Sequence, residues 1–474
     1  MEAIDPVYGT TTLLLIAAGA VALLLFLIMK VKLHAFVSLV LVSVVTAIAV
    51  GFPLADIPDA LMFGFADTIG SVALLVAFGV MLGRLLEVTG GAQVLADTLI
   101  GRFGEKRAPL ALGVAALLFG FPIFFDAGLV VFLPIIITVA RRFGGSVLLY
   151  ALPAAGAFAA MHAITPPHPG PVAAAEVLGG NIGVTMLVGI PIAVVAWYVG
   201  VMLVSRYLGA RFHVPVSNMV FGEINGGAKK DGDGDEKGEG ASAIDRRPPS
   251  FLTVLLLLLV PLVLISFDTV LDTLVAADVL KEGQGWAEFL SLLGNTPVAL
   301  MISVVTAILV LGRPRASMSS VSDIIDGALG PICSIILITG AGGMFGGVLE
   351  LSGIGAALSG SLSDLGISLI LQAFIIATLL RVAQGSATVA ITTTAGLIAT
   401  AVGAAGLGDF QIALLVVAIA AGATVLSHVN DSGFWLVSRF FGMDVKTTLK
   451  TWTVMETTLG VSAFLVALGL WAVV

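Results

Sequence analysis

The stretch TTLLLIAAGAVALLLFLIM at residues 11–29 decides the fold class, because it is an unbroken apolar run of spanning length. About 20 residues suffice for a helix to cross a bilayer. Similar runs recur at Leu252–Phe267 and Val454–Val474. Of the 474 residues, 58% are apolar and 11% are charged, against ~25% charged in an ordinary soluble domain. The runs lack strand-like alternation, so their backbone must satisfy its hydrogen bonds within helices. The sequence therefore predicts an all-α polytopic membrane protein.

The beginning of the chain does not resemble a cleaved leader. Residues 1–8 carry Glu2 and Asp5 and no basic residue. A secretory signal has a basic start and a small-residue cleavage site, so we expect the first apolar run to be a retained helix. The single cysteine, Cys333, excludes a disulfide within the chain.

An internal repeat divides the chain at a constant offset of 263 residues, as expected for two copies of one structural unit. The first members of the matching pairs are Gly79, Met81, Gly83, Leu86, Glu87, Gly90 and Leu95, and the second are Gly342, Met344, Gly346, Leu349, Glu350, Gly353 and Leu358. We therefore predict a first transmembrane repeat at residues 1–206, an acidic Gly/Asp linker at 207–250, and a second repeat at 251–474.

The distribution of basic residues predicts that the two repeats are inserted in opposite orientations. Short cytoplasmic loops are enriched in Lys and Arg. The loop with Arg102, Lys106 and Arg107 has a counterpart without any basic residue in the second half. Conversely, Arg313 and Arg315 mark an inside loop where the first half has an acidic one. We expect a cytoplasmic linker, both termini outside, and insertion in the cell (inner, or cytoplasmic) membrane.

Each inverted repeat is predicted to contain five spanning helices plus one re-entrant or broken hairpin. The expected crossings lie near 11–29, 33–50, 69–88, 147–162 and 183–205, and near 251–270, 297–312, 328–348, 411–428 and 453–474. The interrupted segments are 109–140 and 367–404, and each is either a hairpin or two full spans.

Both interrupted segments contain polar residues that are rare inside membranes and mark functional sites. In Gly120–Gly128, Gly and Pro break the helix beside Asp126, which has no basic neighbour in sequence and could take up a proton. The alternative is that Asp126 only caps the following half-helix.

The corresponding break in the second half runs from Arg381 to Thr388. Free N–H groups and hydroxyls at Gly385, Ser386 and Thr388 would suit a carboxylate or sugar hydroxyls. Arg381 could clamp a carboxylate with two hydrogen bonds. The alternative is an arginine that snorkels to the interface, or one that pairs with Glu350 or Asp364.

Two further clusters follow the predicted fourth crossing of each repeat. Four prolines within residues 166–171 predict an extended, rigid segment that cannot be helical. It follows His162 and contains His168, and histidine titrates near neutral pH. We assign His162 to proton coupling and His168 to substrate binding; the alternative is a stiff outside loop with a solvated histidine.

The segment Ser427–Trp435 is expected to end a long apolar helix. Asn430 and Ser432 are candidate substrate ligands, and His428 and Asp431 are candidate proton-coupling groups. The alternative is that these polar residues cap the helix. With both halves folded, the four clusters are expected to meet around one cavity near the middle of the membrane.

Four motifs resemble those of the gluconate:proton symporter family, also called gluconate permeases. They are Phe119–Leu129, His162–Pro171, Arg381–Ala395 and Ser427–Trp435, and the likeness runs from about Leu33 to the C-terminus, sparing the linker. The resemblance implies proton-driven uptake of an aldonic acid such as gluconate, on an inverted-repeat fold of the broader ion-transporter type. Other members of the family carry other small hydroxy acids.

We therefore expect a secondary active transporter that imports gluconate or a related sugar acid with protons, by alternating access. Open alternatives are sodium coupling and another small substrate, such as a dicarboxylate or D-serine. A remote one is an intramembrane metalloenzyme using His162, His168, His428 and Asp431, although no HExxH or GxSxG motif is present. We expect no enzymatic activity, no cofactor, no metal and no nucleic acid partner, and leave a homodimer open.

Overall fold

The computed structural model describes residues 4–91, 94, 98, 104–121, 123–166, 168–216, 248–276, 279–281, 283–330, 333–353 and 367–474. These residues form helices joined by short loops, and no strand occurs among them. Most of the acidic linker lies outside the described residues, as do Leu95, Arg102 and the loop at 354–366 with Leu358 and Asp364.

The first half contains nine helices in its described part. They are α1 Thr10–Phe26, α2 Ala35–Val50, α3 Ile57–Val88, α4 Ala108–Gly120, α5 Phe125–Phe143, α6 Leu148–Ile164, α7 Pro169–Val177, α8 Ile182–Ala196 and α9 Val204–Arg211. A π-helical turn, Leu27–Val31, extends α1, and another, Trp197–Leu203, joins α8 to α9. A short 3₁₀ turn, Glu105–Arg107, precedes α4.

The described part of the second half contains ten helices. They are α10 Phe251–Ala276, α11 Gly285–Gly294, α12 Thr296–Ala307, α13 Met318–Leu329, α14 Cys333–Leu351, α15 Leu369–Gln384, α16 Ala387–Ala405, α17 Asp409–Thr424, α18 Ser432–Phe440 and α19 Val445–Trp471. The π turn Ile308–Gly312 extends α12.

Six helical stretches in the described ranges are long and apolar enough to cross a membrane. They are Thr10–Val31, Ile57–Leu86, Leu148–Val177, Ile182–Arg211, Phe251–Asp268 and Val445–Trp471. The pair Gly285–Gly294 and Thr296–Gly312, bent by 66°, makes a seventh if it is one span. The prediction of an all-α polytopic membrane protein is confirmed at this level.

Buried and lipid-facing helices are clearly distinct. Residues 412–424 of α17 are buried without exception, and nearly all of α5 and α6 is buried as well. In contrast, Leu15 of α1, Leu187 of α8 and Leu252 of α10 are 60–71% exposed, which suits contact with lipid tails. The central helices therefore position the site, and the outer helices shield it.

The two halves also meet where α3 crosses α14. A Cβ atom added to Gly64 would overlap the carbonyl of Gly343, and one added to Gly347 would come within 2.8 Å of the Cα of Gly64. Small residues allow membrane helices to pack this closely. The crossing fixes the wall on one side of the cavity described below.

The structure corrects the prediction for the proline-rich segment. We expected residues 166–171 to be extended, but helix α7 begins at Pro169 and includes Pro171. Proline is tolerated in the first turn of a helix, because the amide hydrogens there have no intrahelical partner and its φ is already helical. Of the described residues between α6 and α7, Thr165, Pro166 and His168 are non-helical.

Candidate functional site

Each of the two predicted interrupted segments contains a break between helices where the sequence suggested one. In the first half, α4 ends at Gly120 and α5 begins at Phe125. In the second half, α15 ends at Gln384 and α16 begins at Ala387.

Gly385 and Ser386 form the second break. Gly385 has a φ of +85°, which favours glycine, and a Cβ there would collide with the backbone of Asn430. The Ser386 hydroxyl accepts a hydrogen bond from the Val389 amide at 3.3 Å and so caps α16.

A second non-helical segment passes close to this break. It joins α17 to α18 through residues 425–431. The Asp431 carboxylate accepts a hydrogen bond from the Gly433 amide at 2.9 Å and caps α18. His428, expected to close the preceding helix, lies beyond its end at Thr424 and within this unwound segment. The alternative that these polar residues cap the preceding helix does not hold for Asp431, because Asp431 caps the following helix, α18.

One cavity of about 770 Å³ joins these elements, with lining residues from both halves of the chain. Nine of the predicted site residues line it: Asp126, His162, Arg381, Gly385, Ser386, Thr388, Asn430, Asp431 and Ser432. His168 and His428 are not among its lining residues. The structure thus brings together residues that are as far apart in sequence as Asp126 and Ser432.

An ion pair between Arg381 and Asp431 lies at the centre of the site. The Arg381 Nη2 donates to Asp431 Oδ2, and the two side chains are 5% and 11% exposed. The Ser427 hydroxyl donates to the same carboxylate oxygen. In turn, Trp452 Nε1 donates to the Ser427 hydroxyl at 2.8 Å. The pair is therefore held by both α15 and α19.

Asn430 and His428 fasten the unwound segment to the end of α15. Asn430 Nδ2 donates to the carbonyl of Val382 at 2.9 Å and to that of Ala383 at 3.3 Å. His428 Nε2 lies 3.0 Å from the same Val382 carbonyl. These bonds satisfy carbonyl groups that a helix leaves free at its C-terminus.

The two histidines of the first half lie at the other break. The rings of His162 and His168 are 5.0 Å apart, and Phe124 packs edge-on at 5.7 Å from each. His168 is fully buried, and its Nε2 lies 2.9 Å from the Gly120 carbonyl at the end of α4. In this conformation His162 faces the cavity and His168 supports it from behind, so substrate contact by His168 stays a prediction.

Several buried polar atoms at the cavity have no hydrogen-bond partner among the described residues. They are Arg381 Nε and Nη1, Gln384 Oε1, Asn430 Oδ1, His162 Nδ1 and Glu456 Oε1. Buried polar groups normally have partners. Two guanidinium donors and two amide oxygens therefore stand available to a ligand with both a carboxylate and hydroxyl groups.

Sequence reasoning missed Gln384, Trp452 and Glu456, all of which line the cavity. The signal for Glu456 was present, because it is an ionisable residue in the middle of the last apolar span. Asp67, Asp268 and Glu350 also line the cavity. Within the described ranges, no three His, Cys, Asp or Glu side chains are grouped as ligands for a metal ion.

The fold and the site define a class of protein. The chain is a multi-pass helical membrane protein with a polar, charged cavity at broken helices, an architecture that recurs in secondary transporters. It belongs to the GntP family of permeases, whose family model, described as GntP family permease, matches residues 11–474. It is therefore a transport protein and not an enzyme, and the family resemblance seen in the motifs is confirmed.

Several similar proteins cover nearly the full chain. The Inner membrane permease YgbN of Escherichia coli K12 is 39% identical over 98% of this chain and 100% of its own. The Gluconate permease of Bacillus subtilis is 35% identical over 95% and 97% of the two chains. The Gnt-II system L-idonate transporter of E. coli K12 is 35% identical over 97% and 99%. Among solved structures, the Alcanivorax borkumensis YdaH transporter matches with a TM-score of 0.41 and 15% identity over 92% of this chain and 97% of its own.

Proposed function

We propose that this permease imports gluconate or a closely related sugar acid, together with protons. The observation that carries the proposal is the buried Arg381, whose Nε and Nη1 have no partner in the described part of the chain. Beside it lie the amides and hydroxyls of the α16 break. The names of the relatives support the substrate class, since two are a gluconate permease and an L-idonate transporter.

The substrate carboxylate is assigned to Arg381. A guanidinium presents donors in a planar fork that matches a carboxylate, and Asp431 occupies only the Nη2 position. The N-terminus of α16 adds partial positive charge and free amide hydrogens near Ser386 and Thr388. A negatively charged group placed here meets favourable interactions from both elements.

The hydroxyl groups of the substrate are assigned to the amides and hydroxyls around the break. Asn430 and Gln384 both line the cavity, and the side-chain oxygen of each is buried in this conformation without a hydrogen-bond partner among the described residues. Ser432, in the first turn of α18, lines the same cavity. These groups would be left unpaired by an apolar substrate, which disfavours its binding.

Proton coupling is assigned to titratable groups on the same cavity. Asp126 lies in the first turn of α5, and His162 on α6 lines the same cavity. Asp431 is engaged by Arg381, so a proton on it would release the guanidinium. His428 touches Val382 behind the cavity and is assigned an indirect role in the same step. The nearest rival for the coupling ion is sodium.

Transport by alternating access between two inverted repeats completes the proposal, with residues 1–206 and 251–474 as the repeats and 207–250 as a cytoplasmic linker. The element order supports it, since α4 to α8 match α15 to α19 as a broken pair, a long buried helix, a short helix and a last span. In each series the helix is interrupted between the long buried helix and the short helix, that is, between α6 and α7 and between α17 and α18. The name of YgbN supports placement in the inner membrane.

The test is uptake of radiolabelled gluconate into proteoliposomes under an imposed proton gradient and, separately, a sodium gradient. We expect accumulation with protons alone, and competition by L-idonate. A lipid-facing variant, Leu187→Ala, serves as the control because Leu187 is 71% exposed and does not line the cavity. Accumulation under sodium alone would refute proton coupling, and no accumulation under either gradient would refute the substrate.

A further inference from the structure

Glu456 is the most buried carboxyl group on the cavity. It is 3% exposed, against 8% for Asp431, and its Oε1 has no hydrogen-bond partner among the described residues. It lies on the last span, α19, one turn after Trp452, so both side chains project from the same face of that helix. Both line the cavity.

Helix α19 contacts the Arg381–Asp431 pair through Trp452, one turn before Glu456. Trp452 Nε1 donates to the Ser427 hydroxyl at 2.8 Å, and that hydroxyl donates to the Asp431 carboxylate. The charged groups that act on Glu456 from the packed elements are Arg381 on α15 and Asp431 in the unwound segment. Glu456 is therefore part of the charge network of the site and not an isolated buried acid.

Charge balance then assigns Glu456 a role. Arg381 is the one permanent cation among the described residues that line the cavity, and Asp431 already neutralises it. The other carboxyl groups on the cavity are Asp67, Asp268 and Glu350, together with Asp126 and Glu456, the two that interact with Asp431. When a substrate carboxylate also binds Arg381, the site gains a further negative charge. Ionised Asp126 and Glu456 would both repel it in a region of low dielectric constant. A proton on Asp126 removes the repulsion from that group, and a proton on Glu456 removes the rest. Proton binding and substrate binding therefore favour each other.

We infer that Glu456 is a second protonatable carboxyl group of the transport site, acting together with Asp126. The inference rests on the proposed function, that is, on proton-coupled uptake of a monoanion. Two protons that enter with one gluconate carry one net positive charge per cycle. Uptake is then driven by an inside-negative membrane potential as well as by a pH gradient.

The experiment compares wild-type protein with Glu456→Gln in proteoliposomes, with either a pH gradient or a potassium diffusion potential. A gradient of one pH unit limits accumulation to about 100-fold with two protons and about 10-fold with one, since each tenfold ratio corresponds to ~1.4 kcal/mol. A potential of roughly 60 mV adds another tenfold per net charge. We expect E456Q to retain the smaller, pH-driven accumulation and to lose the response to potential.

Three further proteins complete the test. Glu176→Gln removes an exposed carboxylate outside the cavity and is expected to behave as wild type. Glu456→Asp keeps a titratable group and is expected to keep the response to potential. If E456Q does not fold, E456D provides the test of the role of Glu456. Its shorter side chain places the carboxyl group differently in the site, so we expect the pH of half-maximal potential-driven uptake to shift. Asp126→Asn with E456Q is expected to abolish coupling to protons.

The outcomes separate this inference from the proposed function. If the wild type accumulates gluconate under a pH gradient but does not respond to potential, the function stands and the role of Glu456 is refuted. The same holds if E456Q responds to potential as the wild type does, or if the E456D profile is unshifted. If the wild type accumulates no gluconate under any proton gradient, the proposed function itself fails.

Discussion

Removing the charge of Asp431 gives the sharpest test of the site. Asn caps a helix as well as Asp does, so the Oδ1 of Asp431→Asn keeps the bond from the Gly433 amide, 2.9 Å in the native protein, while its Nδ2 replaces Oδ2 and can donate to the Ser427 hydroxyl. What it removes is the counter-ion of Arg381, whose side chain is 5% exposed. Removing one partner of a buried ion pair costs about 3–5 kcal/mol. Because the pair borders a cavity, we expect a loss near ~3 kcal/mol.

The assay is denaturant unfolding of purified protein, followed by the fluorescence of its five tryptophans. Asp444→Asn is the matched control, because Asp444 is an exposed cap of α19 that accepts from the Thr447 amide at 2.8 Å. A surface change of this kind should stay within about 0.5 kcal/mol. The double variant Arg381→Met/Asp431→Asn removes both charges and is expected to recover most of the loss.

Unfolding of the same variants in the presence of gluconate adds a functional measurement. If its carboxylate binds Arg381, it replaces the missing counter-ion, so saturating gluconate should stabilise D431N more than it stabilises the wild type. The reasoning is refuted if D431N is as stable as the wild type, or if the double variant is no more stable than D431N. Equal stabilisation of both proteins by gluconate would refute the assignment of the carboxylate to Arg381.

The remaining predictions concern the two helix breaks. Gly385→Ala is expected to abolish uptake and lower stability, because its Cβ collides with the Asn430 backbone at a φ that favours glycine; Gly396→Ala, which meets nothing within 4 Å, should transport normally. Asn430→Ala removes the Nδ2 donor from the carbonyl of Ala383 and leaves the carbonyl of Val382 to His428 alone, and it is expected to cost about 1–3 kcal/mol in an unfolding titration. Asp126→Asn should lower the number of protons that enter per gluconate, measured with a pH dye in the vesicles, and leave exchange at equal concentrations intact; an unchanged ratio would remove Asp126 from coupling.

The sequence was sufficient for the fold class and for the position of the breaks, because both depend on local signals. Apolar runs report spans, and Gly385 and Ser386 report a helix end with a new helix after it. The local prediction was wrong at Pro169, because this proline lies in the first turn of a helix and not in the extended segment that we expected. The same residue type favours both structures, and only the packing of α7 against α16 and α17 decides between them.

The ion pair, and the direction in which Glu456 points, could not be predicted because they depend on long-range placement. The sequence offers Glu350 and Asp364 as possible partners of Arg381. In the structure its partner is Asp431, 50 residues further along the chain. Glu456 was hidden within a long helix whose rotation about its axis is set by contacts with α17 and α8. A hydropathy pattern cannot tell whether one acid in such a helix faces lipid, protein or a cavity.

The two breaks occupy equivalent places in the helix order but carry different side chains. This difference predicts the orientation in which a sugar acid would bind. The α15–α16 break carries the cation Arg381 and capping hydroxyls, whereas the α4–α5 break carries Asp126 and the aromatic ring of Phe124. A carboxylate is attracted by the first and repelled by an ionised acid at the second. Under the proposed function we therefore expect the substrate to bind with its carboxylate towards α16 and its hydroxylated tail towards α5. In that orientation we expect the tail to lie near Asp126, which lines the same cavity, so that loss of a proton from Asp126 would change the electrostatic environment of the bound substrate.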